Sequence, residues 1–204
     1  MEFDHFAVSG ETLEVAAAHV QAALGVGLAE GGRHEVFGTH NRLLGLADRF
    51  YLEAIATDPA APPPGQPRWF ALDEFQGPPR ITNWICRVGN LDEALAGLPL
   101  GAGRPVEVTR GSLRWRMAVP DDGKLPFQGA FPALIEWLAG GHPAEMLPVS
   151  GCRMRRFTVA HPEADALLEM LGPHIADPRL RIELGPVCAF RAEFDTPSGR
   201  KVLQ

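Results

Sequence analysis

Three charged or titratable side chains interrupt apolar runs of this chain: His5 in Phe3-Asp4-His5-Phe6-Ala7-Val8, Glu53 in Phe50-Tyr51-Leu52-Glu53-Ala54-Ile55-Ala56, and Glu136 in Leu134-Ile135-Glu136-Trp137-Leu138. Burying an unpaired carboxylate costs several kcal/mol, so such positions either face water or hold a partner. One imidazole and two carboxylates together form a donor set that suits a divalent cation. Alternation along each run leaves the plainer readings open: a strand histidine bonded to a neighbour, and a solvent-facing glutamate.

Further polar residues are placed to line a pocket. His40 and Asn41 follow Gly38-Thr39 and serve either turn chemistry or substrate contact. Arg87 shares a strand face with Asn83 and Ile85, which ranks it first among the arginines for a cleft. In Leu113-Arg114-Trp115-Arg116-Met117, alternation sets Trp115 and Met117 on one face and Arg114 and Arg116 on the other, toward solvent or a cleft. Trp84 and Trp137 are core or ligand-stacking residues, and His142 before Pro143 stands in a connector. There is no Gly-x-Ser-x-Gly elbow, no Gly-rich phosphate loop and no HExxH.

The elements that must position these residues repeat. A strand at residues 3–8 leads to Thr12 as N-cap and a helix ending at Leu24-Gly25. Residues 83–88 lead to Asn90, with Glu93 three residues on, and a short helix. Residues 156–160 lead past Pro162 to a helix ending at Leu171-Gly172. After each helix the pattern changes to strands separated by turns: 34–37, 41–47 and 50–56; 105–110, 113–119 and 131–138; 180–184, 187–194 and 200–203. The unit is βαβββ, used three times in an α+β chain: 1–57, 80–139 and 152–204, joined by connectors 58–79 and 140–151, all in one compact domain. Trp69, Phe70, Leu72 and Phe75 are too apolar for a free linker and are expected to form a short helical turn against the body.

The 204 residues carry 25 acidic and 19 basic side chains, a formal charge of -6, and the basic ones are dispersed, which argues against nucleic-acid binding. No stretch reaches the ~20 apolar residues of a membrane span, and the N-terminus lacks the features of a secretory signal, so a cytoplasmic location is expected. Cys86, Cys152 and Cys188 are odd in number and far apart, and read as small buried hydrophobes rather than a disulfide framework or zinc site.

The ordered set Asp4-His5, Gly38-Thr39-His40-Asn41-Arg42-Leu43-Leu44, Tyr51-Leu52-Glu53 with Asp58-Pro59, Trp84 with Asn90-Leu91-Asp92, and Leu134-Ile135-Glu136-Trp137 with His142-Pro143 resembles the glyoxalase-like branch of the vicinal oxygen chelate superfamily. The resemblance implies paired βαβββ modules whose curved mixed sheets enclose a cleft. It implies a divalent metal held by the first and last strands of each module, here by His5, Glu53 and Glu136. In that arrangement the metal polarises a small oxygen-bearing substrate while Glu53 or Glu136 moves a proton, as in a lyase, isomerase or dioxygenase. His40, Asn41, Asn83, Trp84, Arg87, Arg116, Trp137 and His142 would contact the substrate. Aligning Thr12-Leu13-Glu14 with Asn90-Leu91-Asp92 sets Asn83 opposite His5, where an amide is a weak ligand. That feature favours the alternative, a metal-free small-molecule binding or resistance protein using Trp84, Trp137 and Arg87. A purely structural module fits less well, because polar residues recur at equivalent strand positions. The third unit has Arg156 near the register of His5 and is expected to cover a sheet edge, within the chain or in a homodimer.

Overall fold

The computed structural model describes residues 1–98 and 101–204. The first βαβββ unit is β1 (Glu2–Ser9), α1 (Leu13–Leu24), β2 (Ala29–His34), β3 (Thr39–Leu46) and β4 (Phe50–Thr57). The second is β5 (Arg80–Arg87), α2 (Leu91–Ala96), β6 (Arg104–Arg110), β7 (Leu113–Val119) and β8 (Ala133–Ala139). A single turn of helix, α3 (Pro143–Met146), precedes the last unit: β9 (Arg153–His161), α4 (Ala164–Leu171), β10 (Leu180–Leu184), β11 (Ala189–Thr196) and β12 (Gly199–Leu203).

The local signals act as their chemistry requires. The Thr12 hydroxyl accepts from Val15 N–H, and Gly25 closes α1 at φ 73° with its N–H on the Gln21 carbonyl. Asn90 accepts from the N–H groups of Asp92 and Glu93 at the start of α2. Strand β2 differs from expectation. Residues 35–38 form a turn, with Phe37 N–H on His34 O, and the strand lies earlier, in Ala-Glu-Gly-Gly-Arg-His. Its apolar signal is missing because a Cβ on Gly31 would stand 2.2 Å from Asn41 Oδ1, so glycine is required there.

The first two units join in one eight-stranded sheet ordered β2-β3-β4-β1-β5-β8-β7-β6. Within each, the opening strand lies parallel to the closing one, β1 to β4 and β5 to β8, while β1 and β5 meet antiparallel at the seam. The third unit keeps the element order but not the pairing: its sheet runs β10-β9-β11-β12, and β9 lies beside β10 and β11 instead of the closing strand. It packs on the same chain. Phe157 of β9 meets Phe6 at 5.3 Å between ring centroids, in a core that includes Trp84, whose Nε1–H donates to Ala130 O at 2.8 Å.

The other face of the large sheet carries a second core of Ala7, Ile55, Ile85, Trp115, Met117 and Ile135, capped by Trp69, Phe70 and Leu72 from the connector. These three belong to a short 3-10 turn, Trp69–Glu74, as their apolarity requires. Phe75 beyond it is half-buried, with the Arg80 guanidinium over its ring. The turn is clamped to the β7–β8 loop by Ala71 N–H on Gly123 O at 2.9 Å. Gly123 has φ 74°, and a Cβ there would lie 2.0 Å from Arg68 O. Gly123→Ala therefore forces the connector off the cleft, and is expected to lower the unfolding free energy by about 2 kcal/mol or more in urea titration. A change below about 0.5 kcal/mol would show that the clamp does not hold the connector.

Candidate functional site

The site begins with an extra residue in β1. Across the seam Phe3 pairs with Cys86 and His5 with Ile85, so Asp4 forms a bulge. Alternation would send adjacent residues to opposite faces; the bulge lets both Asp4 and His5 join one network under the connector. His5 Nδ1–H donates to Asp4 Oδ1 at 2.6 Å, and His5 Nε2 lies 3.6 Å from Glu53 Oε1 on β4. The second oxygen of Asp4 accepts from His142 Nε2–H at 2.9 Å and from the Trp137 indole at 3.2 Å, and the Arg87 guanidinium stands 3.6 Å away. His142 Nδ1 accepts from Ala144 N–H, which leaves its proton on Nε2 for Asp4. The Tyr51 ring stacks on the His5 imidazole with centroids 4.3 Å apart.

On the far side, Glu53 Oε2 accepts from Asn41 Nδ2 at 2.7 Å. Asn41 Oδ1 in turn accepts from Gly32 N–H at 3.0 Å and from Arg110 at 3.1 Å. Arg110, at the β6–β7 turn, reaches across to β3 and lies 3.4 Å from His34 Nε2, while His34 Nδ1–H faces Thr39 Oγ1 at 3.0 Å. Asp4, His5, His34, Asn41 and Glu53 are all buried. His5, His34, Asn41, Glu53 and Arg110, with Trp69, Trp115 and Trp137, enclose a cavity of about 20 Å³, room for roughly one water.

Burial and pairing set the charges. Burial alone would raise the Asp4 carboxyl, but hydrogen bonds from His142 and His5 and their charges hold it far below the carboxylate range. Burial would discharge His5, yet the bond to Asp4 and the negative charges of Asp4 and the nearby Glu53 raise its pKa above 6.5. Glu53 is lowered against its own burial by the nearby His5 charge and by the bond from Asn41. His34 falls to about 4 through burial and the positive charge of Arg110, and is neutral. Burial and the Asp4 and Glu53 charges push the Tyr51 phenol well up. The centre is an imidazolium between two carboxylates.

Of the residues singled out from sequence, the structure gathers His5, Glu53, Asn41, Trp137 and His142, with Arg87 at the edge beside Asp4. The rest lie elsewhere. Ile135 and Trp137 line the cavity, so Glu136 points to the opposite face, where it accepts from Arg116 at 2.9 and 2.5 Å and from Leu91 N–H at the start of α2. Arg116 also binds Asp92 there, so neither Arg116 nor Glu136 reaches the cleft. His40 pairs with Ala56, which packs against α1, on the reverse of β3 from Asn41. Trp84 is sealed in the core under the third unit. Asn83 pairs with Ala7 rather than His5 and lines a different cleft.

The residues do not fit a divalent metal. In the first unit Glu53 pairs with Ala7, two residues after His5; in the second Ile135 pairs with Arg87, two residues after Ile85. Ile85 and Ile135 thus stand where the second unit would supply ligands, and neither can coordinate. Both His5 nitrogens face carboxylates, and the Arg110 guanidinium shares the pocket. Among the described residues no group of three or more His, Cys, Asp and Glu side chains is arranged to hold an ion.

Asp4, His34, Tyr51 and Arg110 were not singled out. Asp4 was hidden by the alternation rule, and Arg110 by its place in a turn whose approach to β3 depends on sheet curvature.

Paired βαβββ units sharing a curled sheet, with a polar cluster on its covered face, define the vicinal oxygen chelate class. The chain belongs to the glyoxalase-like domain family, whose profile matches residues 3–174. A crystal structure of a hypothetical protein from Staphylococcus aureus superposes with a TM-score of 0.64 at 14% identity, covering 92% of this chain and 88% of that one. Methylmalonyl-CoA epimerase from Mycobacterium tuberculosis gives a TM-score of 0.43 at 20% identity, over 68% of this chain and 88% of that one. A Streptomyces coelicolor methylmalonyl-CoA epimerase variant in complex with 2-nitronate-propionyl-CoA gives 0.42 at 16%, over 66% and 95%. No protein of curated function matches in sequence. No described helix is long and apolar enough to cross a membrane.

The charge assignment has a pH signature. The contribution from Asp4 and Glu53 is present above about pH 4 and is lost as pH falls through their lowered folded values. That from His5 is full below about pH 6.5 and is lost as pH rises through its raised folded value. His34 has the opposite effect to His5, because protonating it in the unfolded chain weakens folding as pH falls from about 6.5 to 4. Between those values His34→Gln should lose roughly 2–3 kcal/mol less stability than the parent in urea titrations. Nitrogen-15 spectra should show His5 doubly protonated and His34 neutral at pH 6. Equal pH slopes in both proteins, or a neutral His5, would contradict the assignment.

Proposed function

We propose that the covered face of the large sheet binds a small molecule bearing carbonyl or carboxylate oxygens and moves a proton on it without a metal. The observation that carries this is the asymmetry at His5: Nδ1 is held by Asp4 at 2.6 Å, while Nε2 stands 3.6 Å from Glu53, beyond a good hydrogen bond. Asp4 orients the ring and stabilises its positive charge, and the Nε2–H is left to donate to a substrate oxygen. Arg110 supplies a second cation on the same side, so negative charge developing on that oxygen is met from two directions. Glu53 receives the proton from the neighbouring carbon and returns it, its position fixed by Asn41.

A substrate gains access when the Arg110 side chain leaves Asn41 and His34, which enlarges the closed 20 Å³ cavity between β3 and the β6–β7 turn. The walls of Trp69, Trp115 and Trp137 suit a compact apolar body behind the oxygens. Those walls also support a second reading, retention of a small molecule without turnover.

The test is deuterium uptake beside the carbonyl of short 2-oxo acids and 2-hydroxy ketones, followed by proton NMR with chelator-treated protein. The expected result is exchange that Glu53→Gln slows by about 10²-fold or more and that added divalent metals leave unchanged. Exchange that appears only with metal, or that survives in Glu53→Gln, would overturn the proposal. Binding of these compounds without exchange would establish retention in its place.

A further inference from the structure

A cleft of about 770 Å³ lies away from the His5 centre, where the start of β5 and the connector meet β9 and β11 of the third unit. That is within the range of small-molecule sites. Three aromatic side chains, Phe70, Phe75 and Phe190, contribute to its walls. Three carboxamide residues, Asn83, Gln128 and Gln204, also line it.

Asn83 is 3% exposed, and its Oδ1 is shut off from solvent with no hydrogen-bond partner. A buried amide oxygen left without a partner costs about 1–3 kcal/mol, which folding alone gives no reason to retain. The backbone adds a second, independent sign. Phe70, Ala71 and Gln128 of the lining, and Phe127 beside Gln128, occupy the left-handed region in two consecutive pairs, with φ between 53° and 60°. Non-glycine residues held there store strain, and such strain concentrates at ligand-binding positions. Gly129 next to Gln128 has φ 91°, a conformation that favours glycine.

We infer that this cleft is a binding site for a flat heteroaromatic ring carrying a lactam edge, an adjacent N–H and C=O. The Asn83 carboxamide, turned about its Cβ–Cγ bond, offers the matching acceptor and donor. The phenyl rings take the ring faces. Arg80, which has no carboxylate partner among the described residues, lies at the same cleft and accommodates an acidic substituent. This site shares no lining residue with the His5 cavity, and the inference stands apart from the proton-transfer reading.

The experiment uses 2-quinolone and N-methyl-2-quinolone, nearly equal in shape but differing in the N–H, titrated against the full chain by ligand-observed and amide NMR. The expected result is that 2-quinolone binds at least tenfold more tightly than its N-methyl derivative, with shifts at Asn83, Gln128 and Phe190. In Asn83→Leu the two compounds should bind alike. Thermal unfolding of Asn83→Leu shows whether it is folded, and Phe190→Ala, which should weaken both compounds together, serves if it is not. Absence of binding by either compound, equal affinity for both in the parent protein, or shifts confined to the residues around His5 would overturn the inference.

Discussion

The arrangement depends on one buried contact, the 2.6 Å bond between the Asp4 carboxylate and the His5 imidazole. The buried carboxylates and imidazoles under the connector are tied together outward from it. Asp4 collects His142 and Trp137, which ties the segment after β8 to β1; His5 faces Glu53, which ties β1 to β4; Asn41 and Arg110 carry the chain of bonds to the β6–β7 turn. Ions this deeply buried are costly, and they persist because each has a partner within reach. Removing one leaves the others as uncompensated charge. The network therefore specifies how the two units close on each other as much as it stabilises them.

The same contact decides what chemistry the cleft can hold. A ring bonded to one carboxylate and facing a second is an imidazolium, and an imidazolium is a hydrogen-bond donor, not a ligand. The second unit contributes Ile85 and Ile135 at the matching registers, so the pseudo-twofold relation of the sheet is kept in the backbone and broken in the chemistry. One half of the cleft is acidic and basic, the other apolar.

Much of the architecture was legible because it rests on local rules. Thr12 and Asn90 cap through their side chains and Gly25 through its left-handed backbone, and the strand alternation set Trp115 and Met117 opposite Arg114 and Arg116. The apolar connector residues packed as their burial requires. What failed depended on non-local geometry. Glu136 read as a ligand because a carboxylate flanked by Ile135 and Trp137 needs a partner; the partner is Arg116 on the far face, and sequence does not say which face is covered. Strand β2 was displaced because Gly31 serves close approach to Asn41 instead of an apolar pattern. The third unit repeats the element order, yet pairing order is set by contacts that no local pattern records. Asp4 is the instructive omission: strict alternation points it away from His5, and only a bulge at the seam brings both into one network.

The most direct measurement is a double-mutant cycle across that bond, comparing urea unfolding of the parent, Asp4→Asn, His5→Gln and the double variant. A buried charge pair predicts that each single change costs about 3 kcal/mol or more and that the double change costs much less than their sum, a coupling of roughly 2 kcal/mol. Additivity within about 0.5 kcal/mol would show that the two side chains do not depend on each other and would contradict the account at its root.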